Sequence, residues 1–254
     1  MQNPIFIGLV LSLFAGLATT IGALIALLVK KTDFKILALA LGFSAGVMFY
    51  ISFVELLGQS INHIGMLSAN IAFFLGILLI YLIDVLIPHE YIAECIPHAK
   101  EAHLKPLIKT GVMTTIGISI HNLAEGAAVF VGTIHSIGIG IFLAIAIAIH
   151  NIPEGISVSL PIYCATGSRK KAFWFSFFSG ITEPIGALLA VLFLWPFLTP
   201  FFVNWLLAFV GGIMVYISFD ELLPAANKYG EEHVVGLGII LGMLVMAASI
   251  VMLR

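Results

Sequence analysis

The chain has 254 residues, of which 61% are hydrophobic and only 9% charged, with a formal net charge of −2 and a mean hydropathy of +1.16. So apolar a chain lies outside the range of water-soluble domains, and its near-neutral balance offers no basic surface for nucleic acid. It reads as a polytopic membrane protein in which residues 1–254 form a single transmembrane domain.

Apolar stretches long enough to cross a hydrocarbon core of about 30 Å lie at 4–29, 36–57, 68–87, 108–132, 138–163, 172–195, 202–223 and 234–253. Period-2 alternation is nowhere evident, so an all-α bundle of eight transmembrane helices is expected. The first stretch lacks a cationic leader and is too long for a signal-peptide core, so it reads as a retained span. Lys30, Lys31 and Lys35 lie between spans 1 and 2, and Lys100, Lys105 and Lys109 between spans 3 and 4. Arg169, Lys170 and Lys171 lie between spans 5 and 6, and Lys228 between spans 7 and 8. The opposite connections contain no Lys or Arg, which places both termini outside. Cys95 and Cys164 then face or border the cytoplasm, where a disulfide is not expected. The longest connection, the cytoplasmic loop 88–107, holds His89, Glu90, Glu94, Cys95, His98, Glu101 and His103; their spacing matches no closed tetrahedral site, and the loop reads either as a solvated charged segment or as a weak, flexible metal-collecting one.

Two repeats organise the chain. "GVMFYISFVELL" at 46–57 matches "GIMVYISFDELL" at 212–223 in Gly46/Gly212, Met48/Met214, Tyr50/Tyr216, Ser52/Ser218 and Glu55/Glu221. Spans 2 and 7 run in opposite directions by the charge assignment, so the match predicts an inverted repeat of spans 1–3 against 6–8. "HNLAEG" at 121–126 and "HNIPEG" at 150–155 form a second pair, on the antiparallel spans 4 and 5. A 3+2+3 bundle with substrate bound near the midplane follows.

His121 and Glu125 are four residues apart, as are His150 and Glu154, so each pair lies on one helix face. Asn122 and Asn151 sit about 100° round from their histidines. Together with Glu183 in span 6 and Met48 in span 2, they bring donor atoms from four helices to one depth. The spans also contain Glu55, Asp84, Asp220 and Glu221, yet no Lys or Arg lies deeper than Lys109 at the start of span 4. A charge at the bilayer centre costs at least about 2.5–3.5 kcal/mol, so a partner from outside the sequence is required. Imidazole with carboxylate suits Zn²⁺, with Fe²⁺, Mn²⁺, Co²⁺ and Cd²⁺ as competitors and Mg²⁺ disfavoured. Pro153 and Pro184 cannot donate to the carbonyls of Ile149 and Gly180; for Pro184 a helix kink and backbone exposed to a cavity are equal readings, while Asn151 and Glu154 beside Pro153 favour the cavity there.

These residues carry a resemblance. The paired "HNLAEG" and "HNIPEG", followed by "SGITEPIGA" in span 6, resemble the ZIP (Zrt-, Irt-like) metal transporter family, and the short loops with "IPHE" after span 3 resemble its bacterial ZupT and GufA-type branches. The resemblance implies a ZIP-like 3+2+3 bundle in a bacterial inner or plasma membrane, taking up Zn²⁺ and related divalent metals into the cytoplasm by alternating access, with spans 1, 4, 5 and 6 moving against the others. It implies a binuclear centre, one site formed by His121, Glu125, His150, Glu154 and Met48, the other by Asn122, Asn151 and Glu183 with Glu125 and Glu154 bridging. Some relatives have Gln at the position of His150 and Asp at that of Asn151, so the second site is less anionic here. An exit route through Asp84, His89, Glu90, Asp220 and Glu221 is implied as well, although some relatives have His where Asp220 stands. From the topology alone, Glu55 lies near the outer mouth and is expected to attract the incoming cation.

The expected partners are divalent cations and membrane lipid, with a homodimer left open, and no cofactor is expected beyond the transported metal. An enzyme is not expected. A membrane protease of the His-Glu-x-x-His type lacks its motif, and bis-His haem would leave the carboxylates without partners. A membrane-embedded zinc-dependent hydrolase and a proton-coupled metal antiporter are the alternatives.

Overall fold

A computed structural model describes residues 3–28, 34–86, 101–197 and 199–253. Among them there is no strand. The helices in chain order are α1 (Pro4–Leu28), α2 (Phe34–Tyr50), α3 (Gly58–Ile64), α4 (Met66–Leu86), α5 (Glu101–His135), α6 (Ile137–Thr166), α7 (Arg169–Leu189), α8 (Pro200–Ile217), α9 (Leu223–Tyr229) and α10 (Glu232–Leu253). A π-helical stretch, Ile51–Leu57, joins α2 to α3 without a break, and another, Ser218–Leu222, joins α8 to α9. A third, Ala190–Leu194, extends α7. The protein is therefore an all-α membrane protein, with seven helical lengths among the described residues long and apolar enough to cross a bilayer. The remaining expected span, 108–132, lies wholly within the helix α5.

Helix ends follow local chemistry. Gly167, at φ +62°, caps α6 by donating its N–H to the Tyr163 carbonyl, and Ser168 then accepts from the Lys171 N–H to start α7. Thr199 caps α8 in the same way, ahead of Pro200 at the first helical position.

The structure corrects the sequence reading in three places. Spans 2 and 7 continue to Ile64 and Tyr229, well past 57 and 223. The expected loop 88–107 is helical from Glu101 onward, and residues 87–100 lie outside the described part. Hydropathy reports immersion in lipid, whereas good helix formers such as those of "EAHLK" extend a helix into the aqueous phase. The third correction is the π-helical geometry of both repeat segments, which widens the helix and shifts the faces that follow.

Packing is inverted relative to a soluble protein. On α1, Ser12, Ala15, Gly16, Thr19, Gly22 and Ala23 are buried, while Phe6, Phe14, Leu17, Ile21 and Leu28 are exposed to what would be lipid. Small residues let backbones touch where lipid supplies no hydrophobic drive for association. A Cβ on Gly126 would lie 1.7 Å from the Glu183 carbonyl oxygen, and one on Gly155 1.8 Å from that of Thr19, so α5 meets α7 and α6 meets α1 at backbone contact. Gly46 and Gly242 join α2 to α10 in this way, as Gly76 and Gly212 join α4 to α8. The helices form two groups, α1, α5, α6 and α7 in one, α2, α4, α8 and α10 in the other, touching mainly where α2 meets α6 and α5 meets α8.

Candidate metal centre

The first group assembles the centre. Glu125 and Glu154 each precede one of the contact glycines, Gly126 and Gly155, so the closest backbone approaches occur one residue from each carboxylate. His121, Asn122 and Glu125 on α5, His150, Asn151 and Glu154 on α6, and Glu183 on α7 are all fully buried. His121 Nε2 stands 3.1 Å from Glu125 Oε1 and 3.3 Å from Glu154 Oε1, without hydrogen-bond alignment to either. His150 Nε2 stands 2.7 Å from the same Glu125 oxygen, and its Nδ1 lies 3.1 Å from the Ala146 carbonyl. An Nδ1–H donated to that carbonyl turns the Nε2 lone pair towards a carboxylate, an arrangement that a cation or a proton held between them stabilises. The two imidazole rings are 6.2 Å apart, and one donor atom from each of His121, His150 and Glu154 falls within a common 4.8 Å.

The amides act as struts. Asn122 Nδ2 donates to the Ser179 carbonyl at 3.0 Å, and Asn151 Nδ2 donates to the Ala15 carbonyl at 3.0 Å and to Glu183 Oε2 at 2.8 Å. Both amide oxygens are left without a hydrogen-bond partner in the structure, as are Glu125 Oε2, both Glu154 oxygens and Glu183 Oε1. Buried oxygens in this state are rare because each forfeits its hydration.

Met48 is fully buried, and its described polar contact is with Ser218, whose hydroxyl lies 3.5 Å from the thioether. One turn earlier on α2, Ser44 reaches the His150 carbonyl at 3.4 Å. The carbonyl left free by Pro184 has a different surrounding from the cavity that was one reading of it. Gly180 O packs against α1, where a Cβ on Gly16 would lie 2.3 Å away. The proline serves helix contact at that point.

The described path residues stand on elements other than α5, α6 and α7. Glu55, 6% exposed, sits on the π-helical stretch before α3 and accepts a hydrogen bond from Gln59. Asp84 accepts from the Tyr216 hydroxyl at 3.1 Å, and half-buried Asp220 lies on the π-helical stretch after α8. Glu221 is on that same stretch, but its side chain, like His89 and Glu90 altogether, lies outside the described part.

Sequence reasoning passed over two serines. Ser52 is buried with its hydroxyl unpartnered, and Ser218 bonds the Met214 carbonyl while touching Met48. Their coincidence in the repeated segment was the available signal.

A family profile described as "ZIP Zinc transporter" matches residues 86–249, well over half of the chain. The chain belongs to the ZIP family. The protein is 50% identical to the zinc transporter ZupT of Chlorobium phaeovibrioides, over 99% of this chain and 100% of that one. It is 48% identical to the ZupT of Oceanobacillus iheyensis over the same shares, and 47% identical to that of Streptococcus mutans over 99% of each chain. As a ZIP family member it is a multi-pass protein of the cell membrane and a transporter, not an enzyme.

Proposed function

We propose that this ZIP protein carries Zn²⁺ into the cytoplasm through a binuclear centre, by alternating access. The observation that carries the reading is the convergence of three buried carboxylates, two imidazoles and two amides at a depth where the sequence supplies no cationic side chain. His121, Glu125, His150 and Glu154 hold one ion, with Met48 at its edge. Asn122, Asn151 and Glu183 hold the other, with Glu125 and Glu154 shared. Donors bound tetrahedrally at about 2.0–2.2 Å from zinc are themselves about 3.3–3.6 Å apart, and the 3.3 Å between His121 Nε2 and Glu154 Oε1 agrees with that spacing. One divalent ion leaves one of three carboxylate charges uncompensated, which favours a second ion or a proton. Relatives named as zinc transporters support zinc as cargo. Imidazole–carboxylate sets also accept Fe²⁺, Mn²⁺, Co²⁺ and Cd²⁺, which compete for the centre.

The reading includes the eight-span inverted repeat with both termini outside. The glycine contacts support it. The offset that takes Gly46 to Gly212 also takes Gly76 to Gly242, so the α2–α10 contact maps onto the α8–α4 contact. The offset from Gly16 to Gly180 takes Ala15 to Ser179, and so turns the Asn151–Ala15 hydrogen bond into the Asn122–Ser179 one. The reciprocal approach of Gly16 and Gly180, each facing the other's carbonyl, agrees with a pseudo-two-fold axis passing between them. The separate packing of α1, α5, α6 and α7 agrees with that group moving against the remainder, while Asp84, Asp220 and Glu221 receive the released ion.

Zinc-edge X-ray absorption on the loaded full chain tests the centre. Nitrogen and oxygen neighbours at about 2.0–2.2 Å with imidazole scattering are expected, the imidazole part being lost in His121→Ala/His150→Ala. A zinc spectrum unchanged in that variant counts against the ligand set. Glu55→Gln is expected to raise half-saturating zinc for uptake several-fold while leaving the maximal rate near that of the wild type. Unaltered half-saturation would remove Glu55 from the outer path.

A further inference from the structure

We propose that His63 and His135 form a separate divalent-cation site at the outer mouth, where a Zn²⁺-like ion is held before it reaches Glu55. The proposal rests on the reading that metal enters from the side opposite the lysine-bearing connections.

The two histidines are distant in sequence, yet their rings meet edge to face with centroids 5.6 Å apart, closer than the 6.2 Å between the rings of His121 and His150. Both side chains are exposed, so an ion arriving from water can exchange onto them. His63 Nδ1 lies 2.8 Å from the Gln59 carbonyl. Donation of that N–H leaves Nε2 with its lone pair free, the tautomer and ring orientation that metal-binding imidazoles take from a backbone carbonyl.

The backbone adds to this. His63 lies in the last turn of α3 and His135 is the last residue of α5. Two helix ends therefore converge on one place, which fixes the backbone that carries both imidazoles. Single-residue connections, Gly65 to α4 and Ser136 to α6, hold both ends. The surrounding "SINHIGML" and "TIHSIG" contain no Lys or Arg to compete for the site. Two imidazoles leave water on the remaining positions, which suits capture and release better than permanent binding.

A route inward is built on the same helix. Glu55, Gln59 and His63 follow at four-residue spacing, Gln59 donating its side-chain amide to Glu55 and its carbonyl accepting from His63. An ion leaving the histidines thus meets the first buried carboxylate two turns further in.

Equilibrium zinc binding and zinc uptake, both on the full chain in lipid, test the site with His63→Gln/His135→Gln and with Glu125→Ala/Glu154→Ala. The histidine variant is expected to bind one zinc fewer than the wild type, and its half-saturating zinc for uptake to rise about tenfold as local cation enrichment is lost. The glutamate variant is expected to keep that outer zinc. Either single substitution, His63→Gln or His135→Gln, should produce the same loss, so the result does not depend on one variant folding well. Wild-type zinc stoichiometry and wild-type half-saturation in the histidine variants overturn the proposal. Undiminished flux in the glutamate variant would instead overturn the transport centre, and the histidine comparison would still decide the outer site.

Discussion

Glu125→Ala is expected to lower zinc affinity at the centre by about a hundredfold or more, since loss of even an outer partner of a metal ligand costs 10–100-fold. Glu125 is the carboxylate that faces both imidazoles, at 3.1 Å from His121 and 2.7 Å from His150. Glu125→Gln keeps the shape and one oxygen but removes the charge, and a loss of similar size is expected from it. Isothermal titration of the purified full chain with Zn²⁺ reads both. Wild-type affinity in either variant would show that the cluster is a structural hydrogen-bonding network.

Gly126→Val is expected to separate α5 from α7. Its Cβ would meet the Glu183 backbone oxygen at 1.7 Å, and a backbone atom cannot swing away as a side chain can. Overpacking of this kind costs about 1–3 kcal/mol, and here it also draws Glu183 away from Asn151, which holds it at 2.8 Å. A lower unfolding temperature, together with weaker zinc binding, is therefore expected. Gly236→Ala on α10, where nothing lies within 4 Å of the added atom, should unfold as the wild type does or slightly later. Equal behaviour of Gly126→Val and Gly236→Ala would mean that α5 and α7 do not touch.

Much of the centre was legible because a charge is conspicuous in an apolar chain. Seven polar side chains within spans 4, 5 and 6, two His–Glu pairs one helical turn apart among them, had to converge or remain unpaired, and all seven are fully buried. Other features left less trace. The π-helical stretches around Glu55 and Asp220 depend on backbone hydrogen-bond register, which side-chain periodicity does not record. Glycines announced close packing, but not which helix each one meets. Gly126 and Gly155 occupy matching places in their motifs, yet one meets α7 and the other α1. The helical start of α5 at Glu101 was hidden because polarity was read as a loop. His63 and His135 had no motif in common, and only the folded chain brings their rings to 5.6 Å.

The central claim is that zinc crosses the membrane through the His121, Glu125, His150, Glu154 and Glu183 cluster. Its most direct test is time-dependent accumulation of radioactive zinc in sealed proteoliposomes containing the wild type or Glu125→Ala/Glu154→Ala, with an ionophore to establish the internal volume. Saturable accumulation by the wild type and its absence from the variant are predicted. Tight zinc binding without accumulation in correctly oriented vesicles, or equal accumulation by both proteins, would contradict the account.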